Sequence, residues 1–566
     1  MPICSHCRTL AVLALVLFSW FLPSLAVAGQ KQWSENPVTV DFDMEDIPEP
    51  TERERGAYYD FLYSTFGLQV KEAFDLPRNF RKLGRKPKPA YNVNELDEVP
   101  DSSWFTNRIG SRPMTLEEIR RGPNQGRGPA EGPWTVIQGK TEGITPGFLI
   151  RDARGDVYQL KFDPPDYPEM ATAAEVIASK LYYAAGYNVK ENYLVAFDRH
   201  RLVVSQDAGF RDRHGRARTM TEADLDAILA QVARRADGSY RAVAGKFLDG
   251  VAKGAFSFEG VRKDDPNDWI PHEHRRDLRG LRVFASWVNE NDFREGNTLD
   301  MYVAEGGRHF LRHYLIDFGS SLGSDTVYPN IERIGNEYQL DGGEIAKSLF
   351  SFGLYRRPWK DSSRVEHPAV GFLESGVFNP GRWKPNYPIL PFENMTREDA
   401  FWGARLVVAF SDDQIRAAVE TGEFSDRGAT ELLTRVLIER REKIGKHWLG
   451  RVNPLEEFQI QRGNSGEPVL VFRDLEVVRG HANRERREYE YSIREENSRR
   501  KVVSRRKTAD PVIPLGIRHT SNPEERVYRL SIQSHNTGQP QGRATLVYVL
   551  SRGNELKVVR VERNGN

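Results

Sequence analysis

The stretch from Ala285 to Gly323 reads ASWVNENDFREGNTLDMYVAEGGRHFLRHYLIDFGSSLG, and it organises the whole chain. Asp292, in "NDFREGN", is followed five residues later by Asn297. Twenty residues beyond that, the apolar run Tyr314-Leu315-Ile316 ends on Asp317-Phe318-Gly319. Alternation in "TLDMYV" and "HYLIDF" predicts two strands joined through the "YVAEGGRH" turn. Upstream, "PHEHRRDLRGLRVFASWVNEND" places Leu278, Leu281, Ala285 and Val288 on one helical face at i, i+3, i+7 and i+10. A long helix therefore delivers Asp292, and an apolar strand delivers Asp317.

Working outward toward the N-terminus, "WTVIQG" and "GFLIRD" are short strand-like runs around a loop, "GKTEGITPG", that carries Gly139, Gly143 and Gly147. "GDVYQLKFD" alternates like a strand and projects Lys161 on the same side as Gln159. "PEMATAAEVIASKLYYAAGY" is helical, with Pro168 at its start and Gly186 as its stop. Glu175 lies in the middle of this Ala- and Ile-rich helix. A carboxylate buried there is costly without a cation, and Lys161 is the nearest candidate to supply one. Glu169 is the rival, but it belongs to the first turn, where the helix dipole already favours an acid. "NYLVAFDRHRLVVSQ" has the pattern of a hairpin.

Phosphoryl transfer relies on positioning: a cover for the phosphates, a lysine held by a glutamate, metal ligands, and a carboxylate beside the acceptor hydroxyl. This chain offers a residue for each part in the same order. Each part has a plainer explanation by itself, since a glycine loop is usually a hairpin and a strand lysine usually faces water. The joint order is what distinguishes them. From Trp134 to Trp448 the chain resembles the protein-kinase-like superfamily, and "LIDFGSSLG" looks closer to atypical branches, such as the phosphatidylinositol kinases and the bacterial persistence-toxin kinases, than to ordinary Ser/Thr kinases. The resemblance implies an α+β, bilobal kinase-like fold. It has a small β lobe with one long helix, a hinge at Gly245–Gly250, and a helical lobe. By motif match it implies Lys161 on the α/β-phosphates with Glu175 as its ion-pair partner, and Gly139, Gly143 and Gly147 over the nucleotide. Asp292 becomes the catalytic base, and Asn297 and Asp317 become ligands of Mg²⁺, or Mn²⁺ in its place, with ATP as donor.

The sequence also departs from that pattern. Glu290-Asn291 stands where kinases carry His-Arg before the catalytic Asp, which argues against activation by a phosphorylated loop. No Ala-Pro-Glu closes an activation segment, and the interval from Asn297 to Asp317 is long. His272 and His274 are two apart, so on a helix they cannot grip one zinc ion together; they are expected to begin the helix at solvent. His309 and His313 flank a strand and are expected to be structural.

Lys and Arg number 81 against 80 Asp and Glu, a balance that gives no reason to expect nucleic acid as partner. Arg8, an apolar core, Pro23 and Ala26-Val27-Ala28 form a secretory signal with cleavage expected after Ala28. Cys4 and Cys7, the two cysteines of the chain, lie within it, leaving the mature chain without thiols. The expected organisation is a signal peptide at 1–28 and a polar N-terminal extension with one helical segment at 29–133. A kinase-like N-lobe and hinge follow at 134–250, a C-lobe at 251–462, and a small all-β domain at 463–566. Within the last of these, "RRKVVSRRK" (Arg499–Lys507) is a basic run expected to be a solvated loop, with contact to an anionic surface as the alternative. Two functions follow. One is an exported, periplasmic or secreted phosphotransferase acting on a protein, lipid or glycan acceptor. The other is a non-catalytic, pseudokinase-like scaffold of the cell envelope, favoured by the scarcity of ATP outside the cytoplasm.

Overall fold

β2 (Gly147–Arg151) pairs antiparallel with β3 (Val157–Phe162), and this hairpin sets Gly147 directly opposite Lys161. The structure, a computed structural model, describes residues 36–53, 63–84, 87–139, 146–211, 216–352, 354–362, 367–496, 498, 501–517, 525–536 and 543–565. Expectations placed on residues 1–28, Gly143, Arg499 and Arg500 lie outside the described residues.

The hairpin belongs to a seven-stranded sheet of order β4-β7-β3-β2-β1-β5-β6. Its other strands are β1 (Trp134–Gly139), β4 (Asn192–Phe197), β5 (Leu202–Arg211), β6 (Ala217–Thr219) and β7 (Tyr240–Lys246). The hairpin expected between β4 and β5 does not form. β4 pairs with β7, whereas β5 runs parallel to β1 with Trp134 opposite Leu202. Periodicity marked both strands but could not name their partners. Only residues 198–201 link the two, so the sheet coils strongly and brings Trp134 and Phe197 to 5.1 Å between ring centroids. The side chains of Phe148, Leu160, Phe162 and Ala244 fill the concave core.

The helix Met170–Ala185 packs across this lobe and is buried along almost its whole length. Gly186 ends it at φ 129°, where a Cβ would come within 2.3 Å of the Phe105 ring, so only glycine fits. After β7 the chain passes through Phe247–Gly250 to β8 (Val251–Ala252), which pairs with β9 (Thr298–Glu305) rather than with the first sheet. β10 (Arg308–Leu315) completes that small sheet. Helices Arg276–Val288, Arg397–Ala409, Asp412–Glu420 and Arg427–Trp448 form the second lobe, and Ser411 closes a capping box with Gln414.

Three expectations change. The segment before Trp134 was read as polar linker, yet Val99, Trp104, Phe105, Ile109, Met114 and Ile119 enter the main core between the lobes. Its apolar residues are too widely spaced to show a period, because the chain there wraps the core rather than forming long elements. His272 and His274 are buried rather than at solvent. His272 Nε2 lies 2.8 Å from Asp268, and His274 lies against Arg279. Lys501–Thr508 is an edge strand, not a loop; Arg505 pairs with Glu490, and Lys507 with Glu488 at 3.0 Å.

A three-stranded and a five-stranded sheet at the C-terminus share one apolar core. Their first strand, Leu455–Arg462, follows the Arg427–Trp448 helix after a short turn at Leu449–Arg451. The molecule is thus α+β: a sheet-rich lobe and a helical lobe followed by an all-β unit.

Candidate functional site

Lys161 lies between two carboxylates. Its Nζ is 3.2 Å from Glu175 Oε2 and 2.9 Å from Asp317 Oδ1, and its side chain is only 12% exposed. Burial alone pulls this ammonium down, but Asp317 and Glu175 outweigh it and hold Lys161 well above the usual lysine range. Glu175 is fully buried and does more than neutralise the lysine. Its Oε2 accepts the Phe318 backbone N–H at 3.1 Å, and its Oε1 accepts from Asn192 at 3.4 Å. The Phe318 ring stacks on Tyr182 of the same helix, 4.8 Å between centroids. One carboxylate therefore ties β3, β4, the long helix and the Asp317 turn together. Glu169 is turned away, accepting from Ser425 in the helical lobe.

Asp317 itself adopts φ 65°, a left-handed conformation unusual for any residue but glycine, asparagine or aspartate. The turn is held from the other side as well. Ile316 N–H donates to Asn297 O at 3.0 Å, which holds the Asn297 loop against the Asp317 turn.

Asp292 follows the left-handed cap Asn289 that ends the Arg276–Val288 helix. Asn297 donates its amide N–H₂ to Asp292 O at 2.8 Å and to Asp292 Oδ2 at 3.0 Å. Arg294 Nε is 3.3 Å from the same oxygen. Burial raises Asp292 above the usual carboxylate range; Arg294 and Asn297 oppose that, and Asp317 adds to it. With its N–H₂ committed to Asp292, Asn297 leaves its amide oxygen for a cation.

The two residues that break the kinase pattern both have structural work. Asn291 is buried and clamps three segments: it donates to Ser320 O and Asn330 Oδ1, each at 3.2 Å, and accepts from Asn386 at 2.8 Å. Glu290 accepts the Asp292 N–H at 3.2 Å, while its Oε2 is buried without a hydrogen-bond partner among the described residues. Burial, then Asp292, push the Glu290 carboxyl well above its ordinary range. Lys190, pulled down by burial and by Lys161, lies 3.5 Å from Gln159 Oε1 beside the same cluster. Sequence reasoning missed Asn192, Lys190 and the buried state of Glu290. The oddity of Glu290-Asn291 was the available signal for the last.

The glycines divide. Gly139 is required by packing, since a Cβ there would meet the Phe210 ring at 2.6 Å. Gly147 faces Lys161 across the ladder. Of the expected site residues, the structure gathers Lys161, Glu175, Asp292, Asn297 and Asp317 into one cluster.

A magnesium or manganese ion fits the donor chemistry. The Asp317 carboxylate and the Asn297 amide oxygen are hard oxygen ligands, and the Asp292 and Asp317 charges repel each other in a way a cation relieves. Among the described residues no three His, Cys, Asp or Glu side chains converge as a cage. A metal here would complete its shell with phosphate oxygens and water, the usual arrangement for Mg²⁺.

No family model matches the chain, and no curated protein does. Among solved structures it is similar to the Helicobacter pylori proinflammatory kinase CtkA, at 13% identity over 54% of this chain and 94% of that one, with a TM-score of 0.28. It is also similar to the Golgi casein kinase, at 10% identity over 72% of this chain and 97% of that one, again with a TM-score of 0.28. The latter has also been solved with Mn/ADP bound. Superposition at that score is loose.

Proposed function

We propose that the chain is an exported kinase-like phosphotransferase that moves the terminal phosphoryl group of Mg-ATP to a hydroxyl on a protein, lipid or glycan acceptor. The observation that carries this is Lys161 held between Glu175 and Asp317, with Asp292 and Asn297 pinned to the same turn. A lysine meant only to neutralise Glu175 has no need of a second acid in a left-handed turn. In this reading Lys161 exchanges Asp317 for the nucleotide phosphates, and Glu175 keeps its ammonium in place. Asn297 and Asp317 hold the divalent ion, which when bound neutralises charge on the transferring phosphoryl group. Asp292 accepts the acceptor hydroxyl proton, and Asn297 and Arg294 orient its carboxylate for that. Export is proposed from Arg8, the apolar core and Ala26-Val27-Ala28, and a mature N-terminus at Gly29 is the expected result of sequencing the secreted or envelope-bound protein.

The test uses two variants and two readouts. A nucleotide should raise the melting temperature only with Mg²⁺ or Mn²⁺, because binding to the native state alone stabilises it. Asp317→Ala should abolish that shift. Asp292→Asn should keep the shift and lower phosphate transfer by about 10²–10⁴-fold, the usual worth of a positioned base. Absence of any metal-dependent shift removes the nucleotide reading. Binding without transfer, in wild type and variant alike, identifies a nucleotide-binding scaffold instead.

A further inference from the structure

Lys190 stands just before β4 and reaches the face of the first sheet that carries Lys161. Its Nζ lies 3.5 Å from Gln159 Oε1, and Gln159 is two residues before Lys161 on the same side of β3. Gly245 on β7 faces Gln159 across the ladder, and a Cβ there would come within 3.0 Å of Lys190 Nζ and 3.1 Å of its Cε. Gly245 does not have the left-handed backbone that usually calls for glycine. What its missing side chain leaves room for is the end of Lys190.

The acids nearby are engaged elsewhere. Glu175 holds Lys161, the Phe318 N–H and Asn192, and Asp317 pairs with Lys161. Glu191 accepts from Tyr193 and from the Gln125 N–H. Among the described residues no acid forms an ion pair with Lys190. Burial and then Lys161 work against its charge, while Glu175 and Asp317 favour it without touching it. A half-buried lysine held by one long contact costs the fold stability, and a ligand that brings an acceptor would offset that cost.

Its place along the cleft selects the part of a nucleotide that would meet it. In the reading above, the phosphates lie at Lys161 and Asp317. Gln159 is about 7 Å back along the strand from Lys161. Beside it, β7 runs on from Gly245 into the Phe247–Gly250 connection between the lobes. A nucleotide with its phosphates at the Lys161 end sets its base toward this other end. A lysine ammonium offers donors and no acceptor, so the base edge that faces it has to accept. Guanine presents O6 beside N7, both acceptors, whereas adenine carries its N6 amino group, a donor, where guanine has O6. We propose that Lys190 is a specificity-determining residue that donates to the base, and that the site takes GTP at least as well as ATP. The inference rests on the nucleotide reading of the site and adds to it which bases fit.

The experiment titrates the full chain with GTP and, separately, with ATP in the presence of Mg²⁺, and takes each affinity from the rise in melting temperature. Wild type should bind GTP at least as tightly as ATP. Lys190→Met should lower the GTP-to-ATP affinity ratio about tenfold, the usual worth of one contact to a base edge. Without nucleotide it should melt at or above wild type, because it no longer buries an unpaired cation. Lys190→Gln keeps a donor and adds an acceptor, so its ratio should fall between the two; it decides the matter if the methionine variant does not fold. An unchanged ratio, or an equal loss for both nucleotides, overturns the proposal, since Lys190 then serves the fold or the phosphates. A wild type that responds to ATP alone overturns it while leaving the phosphotransferase reading in place. A wild type that responds to neither nucleotide removes that reading and this inference together.

Discussion

Lys161 and Glu175 are a buried ion pair, and such pairs are felt most when one partner is removed. Lys161→Met leaves Glu175, 1% exposed, without its cation. The expected cost is about 3–5 kcal/mol, measured as a lower denaturant midpoint with unchanged slope. Adding Glu175→Leu should recover only part of that loss: it removes the orphaned charge but leaves the Phe318 N–H and the Asn192 amide without their acceptor. Glu290 gives a second residue-scale test, through pH. Its carboxyl is held above its ordinary value of 4.5 in the folded state, so the native protein binds that proton more tightly than the unfolded chain does. The stabilisation is full below 4.5 and is lost as pH rises toward the raised value. Glu290→Gln cannot titrate and keeps the shape of the protonated acid. Its melting temperature relative to wild type should therefore climb as pH rises from 5 to 8, the range above 4.5. A constant difference across that range would show that Glu290 titrates normally.

The elements that position the site are joined by short, conformationally demanding connections. Between the two sheets, Gly250 adopts φ 112° and sits so close to β9 that a Cβ would lie 2.4 Å from Tyr302 O. Gly250→Ala pays for both the left-handed backbone and the clash. It should destabilise by about 1–3 kcal/mol, visible as a lower thermal midpoint. The Lys161 ladder should be little disturbed, because β3 is paired on both sides independently of that connection. The Asn297 loop and the Asp317 turn flank the open end of the β9–β10 hairpin: its ladder pairs Thr298 with Leu315, and Ile316 N–H to Asn297 O extends it, so one regular element sets the geometry of both.

For the whole molecule, the segment before Trp134 decides cohesion. Trp104 is buried, stacks on His313 at 3.6 Å between centroids, and packs edge-on to Phe256 at 4.9 Å. His313 is in turn paired with the buried Asp300, which accepts from Arg262 at 2.7 Å. Trp104→Ala should cost about 3–5 kcal/mol, as for other buried aromatics, and should be measurable by urea unfolding. The C-terminal β unit is fastened to the same segment: Arg563 lies 2.7 Å from Asp97, Val561 N–H donates to Glu95 O at 2.8 Å, and Arg405 bridges Glu98 and Glu456. The polar N-terminal stretch thus joins lobe, lobe and β unit.

Local order along the chain was enough to determine the strand carrying Lys161, the helix carrying Glu175 and the elements that end in Asp292 and Asp317. Each depends on a periodicity or stop signal contained within about twenty residues, such as Gly186 or the alternation before Asp317. The order of those elements also indicated a bilobal α+β fold. What the chain could not show by itself were facts set by partners distant in sequence. The separation of β4 from β5 depends on β1 and β7, and the burial of His272 depends on Asp268 and the backbone at Ser257. The core role of Trp104 depends on β10, and the raised pKa of Glu290 depends on its enclosure beside Asp292. Hydrophobic periodicity reports which face of an element is buried. Only tertiary packing decides what it is buried against, and desolvation by that packing is what shifts a carboxyl or closes an ion pair.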